Sequence, residues 1–290
     1  MKGDHTPDYE ERFRRAVSGY WMMRDQQATD QQSRGVVDAG TRGAVTGGRH
    51  LNLVTALVRE VFADAGLASA AAGRYILPGY YRGSKNWDLV VPYRGSVVAI
   101  IELKSQVGSF GNNQNNRIEE MVGQSLDIWR AARENLLGPI RPWFGYLMLL
   151  EDHADSRAPR RTPTNAGFAP DPVFHQASYL DRYRIAFERL RREGDLSAVC
   201  LACSDHATAS VEYIDQTMSF NAFAAAIHAR VIEIFGMLGP PDDARPQQHE
   251  QTPSDASNGA LVLSLSGCLP WPARPRRPSA CGAYVATRLR

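Results

Sequence analysis

Lysine is nearly missing from this 290-residue chain. Of 33 Lys and Arg residues only Lys2, Lys85 and Lys104 are lysines, and arginine supplies the rest. The imbalance points to a GC-rich coding bias more than to a binding role, and it makes Lys104, at the end of an apolar run, conspicuous. Net charge is scarce as well. At +2 the chain carries no global field that would by itself announce a nucleic-acid partner. Cysteine is limited to Cys200, Cys203, Cys268 and Cys281, too few and too uneven for a disulfide framework. Cys200 and Cys203 form a CxxC pair inside an apolar run, but no second Cys/His pair at zinc spacing follows, so buried strand thiols are expected rather than a metal or redox centre. No run of about 18 apolar residues occurs. The opening MKGDHTPDYEERFRR is charged where a signal peptide has an apolar core. A cytoplasmic protein is expected.

What is present is ordinary globular material: 43% hydrophobic and 22% charged residues, in a chain long enough to bury a sizeable core. From Leu51 to Ala65 apolar residues recur at three- and four-residue steps, predicting an amphipathic helix that Gly66 stops. Three extended runs follow, Arg74–Leu77, Trp87–Pro92 and Val97–Leu103. The last two are joined by the turn-length Tyr93–Ser96, which predicts an antiparallel hairpin. A Gly/Asn-rich loop, Gly108–Asn115, then precedes a helix expected from Asn116, with Asn116 as N-cap and Glu119 three residues on, to about Leu137. Trp143–Leu150 reads as a strand buried on both faces. Asp152–Gln176 reads as a long loop without periodicity. A helix near Ser178–Glu193, a strand near Ala198–Ala202 and a helix over Phe220–Leu238 complete the body. Eight of the 17 prolines fall between Pro240 and Pro278. The expected division is therefore a folded domain over residues 1–239 and a weakly ordered tail over 240–290.

The chemistry concentrates on the predicted hairpin. Asp88 opens its first strand, and Glu102 and Lys104 close its second, 14 and 16 positions later. If residues whose numbers sum to 189 or 190 face each other, Asp88 lies opposite Ile101 or Glu102. Alternation puts Glu102 and Lys104 on one face and Leu103 on the other. Two carboxylates brought together repel unless a cation joins them. Oxygen ligands with open positions suit Mg2+, which takes one or two carboxylates plus a substrate phosphate. Taken alone the spacing also fits a hairpin whose terminal Glu and Lys are merely solvated.

The surrounding residues carry a resemblance. Gly40–His50, Asn86–Val91, Glu102–Gly108, Gly111–Glu120, Pro142–Asp152 and Ser178–Tyr183 together resemble the XhoI-type restriction endonucleases of the PD-(D/E)XK nuclease superfamily, across roughly Tyr9 to Leu238. The asparagine-rich stretch is more specific than the nuclease triad. Trp87 stands where the superfamily name has proline. The resemblance implies an α/β fold, a restriction-endonuclease-like core with a central mixed β-sheet flanked by helices. It also implies Mg2+-dependent cleavage of double-stranded DNA at CTCGAG that leaves 5′-phosphate ends, and a cognate methyltransferase in the same restriction system. Carried onto this chain it makes Asp88, Glu102 and Lys104 catalytic, with Asp88, Glu102 and the backbone of Leu103 holding the metal. A palindromic site is most simply read by a homodimer.

Other residues keep two readings. Glu60 is either a further acid at the metal or a solvated helix flank. Asn112, Asn113, Asn115, Asn116 and Arg117 either contact DNA from a helix N-terminus or form a polar capping loop. Arg157, Arg160 and Arg161 either meet DNA or decorate a solvated loop, and Gln124 could approach the site from its helix. The alternative functions are a repair or structure-selective nuclease of the same fold, and a catalytically dead DNA-binding protein.

Overall fold

In the computed structural model residues 8–33, 50–67, 72–163 and 167–242 are described. The Gly40–Arg49 part of the first matching stretch lies outside them, as does the tail reading from residue 243 onward. The chain opens with an unanticipated helix, α1 (Tyr9–Ser33), followed by α2 (Asn52–Phe62) and a π-helical turn, Ala63–Leu67, in which Gly66 adopts φ 102°. That left-handed conformation is open to glycine at little cost, so the helix ends where the sequence indicated.

Strands β1 (Gly73–Pro78), β2 (Ser84–Tyr93) and β3 (Ser96–Gln106) form an antiparallel meander. After α3 (Phe110–Arg133), β4 (Trp143–Glu151) adds in parallel to β3. A short helix α4 (Ala154–Arg157) and then α5 (Tyr179–Arg192) lead to β5 (Ala198–Ser204), parallel to β4. The two-residue β6 (Val211–Glu212) pairs antiparallel at the edge, and α6 (Phe220–Leu238) closes the body. The six strands therefore lie in sequence order in one mixed sheet.

Both faces of the sheet are covered. On one, α1, α2 and α6 pack over Leu89, Ile101, Leu103 and Leu147; on the other, α3 and α5 pack over Val90, Ile100, Tyr146 and Met148. This explains why β4 and β5 read as continuous apolar runs, since a strand inside a sheet covered on both sides has no solvated face. The two parallel steps cross through α3 and α5 on the same face, as a sheet growing in one direction by crossovers of a single hand requires.

The missed α1 is a core element. Tyr9, Phe13, Val17, Tyr20 and Trp21 are buried at helical spacing, and Phe13 stacks on Phe220 with ring centroids 4.4 Å apart. By length and composition α6 could cross a membrane. Here Phe220, Phe223, Ile227, Val231 and Ile234 fill the core instead, and buried Arg230 donates to the carbonyls of Val98 and Arg141. At the far end Tyr93 Oη donates to the Gly239 carbonyl and Arg94 to Leu238 and Pro240, so the described contacts run just past residue 239.

Two predicted boundaries shift. The helix expected from Asn116 begins six residues earlier, at Phe110, because Gly108 and Ser109 both take left-handed angles that turn the chain and Phe110 is drawn into the core. Asn116 is therefore inside the helix and does not cap it. The stretch 152–176 is also more structured than expected. His153 caps α4, and Asp171 caps a 3-10 turn at Pro172–Phe174.

Cys200 and Cys203 are free and buried, one facing each side of the sheet. Burial pushes the Cys203 thiol up to about 12 and holds that of Cys200 well above the usual thiol value. A thiol held protonated and covered is a poor nucleophile. Mass-spectrometric mapping after iodoacetamide treatment at pH 8 should find both unlabelled in the native protein and labelled in denaturant. Rapid native labelling at either would mean that β5 is not the covered strand described.

Candidate active site

The β2–β3 hairpin sets the site. Its ladder pairs Leu89 with Ile101, Val90 with Ile100 and Val91 with Ala99, then slips by one at Pro92, which pairs with Val97. Both expected sums, 190 and 189, thus occur, on either side of an irregularity next to proline, which has no N–H for the ladder. Beyond Leu89 the strands no longer pair backbone to backbone. In place of a ladder bond, Asp88 Oδ2 accepts from the Leu103 N–H at 3.1 Å. A side chain thus completes the edge of β3 where its partner strand has parted from it. The acid is fixed by the peptide between Glu102 and Lys104.

Glu102 is almost wholly covered, at 3% side-chain exposure, and each of its oxygens is taken by an ammonium. Lys104 Nζ lies 2.7 Å from Oε1, and Lys85 Nζ donates to Oε2 at 2.9 Å. Asp88, Glu102 and Lys104 therefore converge in one cleft, with Lys85, Asn86, Arg82 and Gln124 on its walls. Burial, and then the charge of Glu102, push the Asp88 carboxyl above the usual carboxylate range, against the opposing pull of the Leu103 N–H and the two lysines. Burial disfavours the Lys104 ammonium, but Glu102, joined by Glu120 and Asp88, outweighs it and Lys104 ends above the ordinary lysine value. Lys85 ends below it, because there burial exceeds what Glu102 returns.

The Asp88 shift has a consequence for stability. A carboxyl whose folded value is raised favours the native state at pH below that value, and loses the advantage as pH rises through it. Asp88→Asn should therefore melt higher than the wild type at pH 7 without divalent cations, and the gap should close as the pH falls into the carboxylate range. Equal melting temperatures at pH 7 would mean that the ionised Asp88 is fully compensated.

Asp88 and Glu102 lie at the lysines, with Glu119 and Glu120 on the α3 wall of the same cleft, and two such carboxylates suit a cation that needs few protein oxygens. Among the described residues no group of three or more His, Cys, Asp or Glu side chains is placed so that all could hold one metal ion. The donor set fits Mg2+, which completes its shell with water and substrate phosphate. One buried polar atom beside it is unsatisfied. Gln124 reaches Glu102 Oε1 through Nε2 at 3.4 Å, while its own Oε1 has no partner.

The wall beside Lys85 is built by another covered carboxylate. Asp127 on α3 accepts from the backbone N–H groups of Tyr80 and Tyr81 at 2.9 and 2.7 Å and from Arg82 Nε at 2.8 Å. The β1–β2 turn is thereby fixed against α3, with Tyr81 exposed and Arg82 facing the cleft.

The structure does not bring every candidate residue here. Glu60 sits on α2, paired with Arg12, on the side of the sheet opposite Glu102. The asparagines occupy the first turns of α3: Asn112, Asn115 and Asn116 are exposed, Asn113 is half-buried, and Arg117 pairs with Glu120 at 2.7 Å. Asn112 lines a neighbouring groove with Phe110, His153 and Tyr179, apart from the Asp88 cleft. Arg157 is held by Asp152 and Glu212, and Arg160 by Asp155, so neither is a free loop cation.

Sequence reasoning missed Lys85 and the Asp127 turn and left Gln124 open. The one signal for Lys85 was its rarity, because two of the chain's three lysines meet on a single glutamate.

Comparison with known proteins gives a consistent set. The family model for restriction endonuclease XhoI matches residues 30–215. The type II restriction enzyme BstVI of Geobacillus stearothermophilus is 40% identical over 178 residues, covering 58% of this chain and 79% of that protein. The XhoI enzyme of Xanthomonas vasicola is 37% identical over 194 residues, 64% of this chain and 77% of its own length. AbrI of Azospirillum brasilense is 40% identical over 167 residues, 56% of this chain and 74% of its own. No solved structure matches. With a mixed sheet flanked by helices, a carboxylate and lysine cluster at the open end of its hairpin, and a family match over more than half its length, this chain belongs to the XhoI family of type II restriction endonucleases.

Proposed function

We propose that the protein is a Mg2+-dependent endonuclease that cuts both strands of cytoplasmic double-stranded DNA at the palindrome CTCGAG and leaves 5′-phosphate ends. It works as a homodimer whose two-fold axis matches that of the site. A methyltransferase of the same restriction system protects the host copies of that sequence. The observation that carries the reading is the convergence of Asp88, Glu102 and Lys104 where β2 parts from β3.

Asp88 and Glu102 supply the carboxylate oxygens for the cation. The Leu103 carbonyl is a further donor, since a strand residue's N–H and C=O point to the same side and the N–H of Leu103 is turned to Asp88. When bound, Mg2+ neutralises charge building on the phosphate and acidifies water. With its ordinary value raised by Glu102, Lys104 stays an ammonium at neutral pH. It therefore holds the attacking water and faces the developing negative charge, and it does not remove the proton itself. Gln124 supports the glutamate from α3, its Nε2 lying 3.4 Å from Glu102 Oε1.

Incubating the purified protein with plasmid DNA and Mg2+, then mapping the ends, tests the reading. Discrete cuts at CTCGAG with 5′-phosphates are expected. Cleavage of nicked or branched DNA without a fixed sequence would replace it with a repair nuclease, and no cleavage with intact specific binding would replace it with a DNA-binding protein.

A further inference from the structure

Lys104 has a task in the proposed chemistry, whereas Lys85 has none. Its side chain is only 14% exposed, its ammonium lies 2.9 Å from Glu102 Oε2, and it rests 3.8 Å from the centre of the Trp87 ring. Burying an ammonium is unfavourable unless a negative group compensates it. Lys104 already balances Glu102. The second ammonium also sits on Glu102, while Asp88 has Arg74 at 3.5 Å and the cleft's other carboxylates, Glu119 and Glu120, lie on its α3 wall. A divalent cation entering this cluster meets two ammoniums and a glutamate with both oxygens taken.

We propose that Lys85 is a positioning residue that stands in for the divalent cation in the free protein. Its ammonium holds Glu102 Oε2, an oxygen the cation needs, and cation binding stays weak until the ammonium leaves. A phosphodiester oxygen in the cleft is the group that receives it. DNA and the cation therefore enter as a cooperative pair, each raising the affinity for the other by the same factor. The inference rests on the metal-dependent reading above and adds that this chain carries its own competitor for the metal.

The test reads Ca2+ binding to the full chain without DNA, by competition against tryptophan-sensitised Tb3+ luminescence. Lys85→Gln should tighten Ca2+ by about tenfold, and Lys85→Arg, which keeps the cation, should bind as the wild type does. A duplex carrying CTCGAG should tighten Ca2+ by a similar factor in the wild type and by much less in Lys85→Gln. No tightening in Lys85→Gln, or equal effects of the duplex on both proteins, overturns the inference. Glu102→Gln separates it from the underlying reading. Loss of Ca2+ binding in that variant, with Lys85→Gln unchanged from wild type, sinks the inference alone, whereas persistent binding at wild-type affinity sinks both. Should Lys85→Gln fail to fold, the wild type and Lys85→Arg decide, because the absence of any duplex-induced tightening in them is fatal to the idea.

Discussion

Lys104→Ala is expected to lower plasmid cleavage by about 10²- to 10³-fold, the range associated with removing one donor that faces the negative charge developing at a reaction centre. Specific binding of the duplex and the circular dichroism spectrum should be kept. The ammonium lies 2.7 Å from Glu102 and faces the open cleft, and Lys85 remains to hold the glutamate, so the fold does not depend on it. The loss should therefore fall on turnover rather than on the affinity for DNA, as for any interaction that strengthens only in the transition state. If the variant, with a spectrum matching the wild type, cuts at the wild-type rate, the assignment of Lys104 is wrong and the reacting centre lies elsewhere.

Phe13→Ala should destabilise the protein by about 3 to 5 kcal/mol, the usual loss for truncating a buried phenylalanine. Its ring is fully covered and stacked on Phe220, joining the first helix to the last across one face of the sheet. The family match begins only at residue 30, so α1 lies almost entirely before it, and this substitution asks whether the helix belongs to the cooperative unit. Urea unfolding gives the answer. A change below about 1 kcal/mol would mean that α1 docks without contributing to the core.

Much of the architecture was readable because period and burial agreed. Leu51–Ala65 repeats at helical spacing, and α2 with its π turn occupies that stretch. Trp143–Leu150 is apolar throughout, and β4 is covered on both faces. The α1 stretch was less legible, although Tyr9, Phe13, Val17, Tyr20 and Trp21 carry the same spacing, because they are separated by arginine, glutamate and glycine and the hydrophobic contrast is low. The start of α3 was misjudged for a physical reason. Asparagine and glycine favour turns locally, yet burial of Phe110 and the left-handed pair Gly108–Ser109 start the helix before them. Tertiary packing outweighs a local preference of a few tenths of a kcal/mol per residue.

The sequence by itself determined the strand alternation, the hairpin turn and hence the shared face of Glu102 and Lys104, because these depend only on the two-residue period of an extended chain and on the length of one turn. Tertiary structure alone decided that Asp88 closes on the Leu103 N–H, that Lys85 reaches Glu102, that Gln124 and Asp127 frame the cleft from α3, and that Glu60 stays on the far side with Arg12. Those placements depend on where the β2 ladder ends and on which sheet face each helix covers, and the balance of burial across two packed layers sets both, beyond the reach of local sequence spacing.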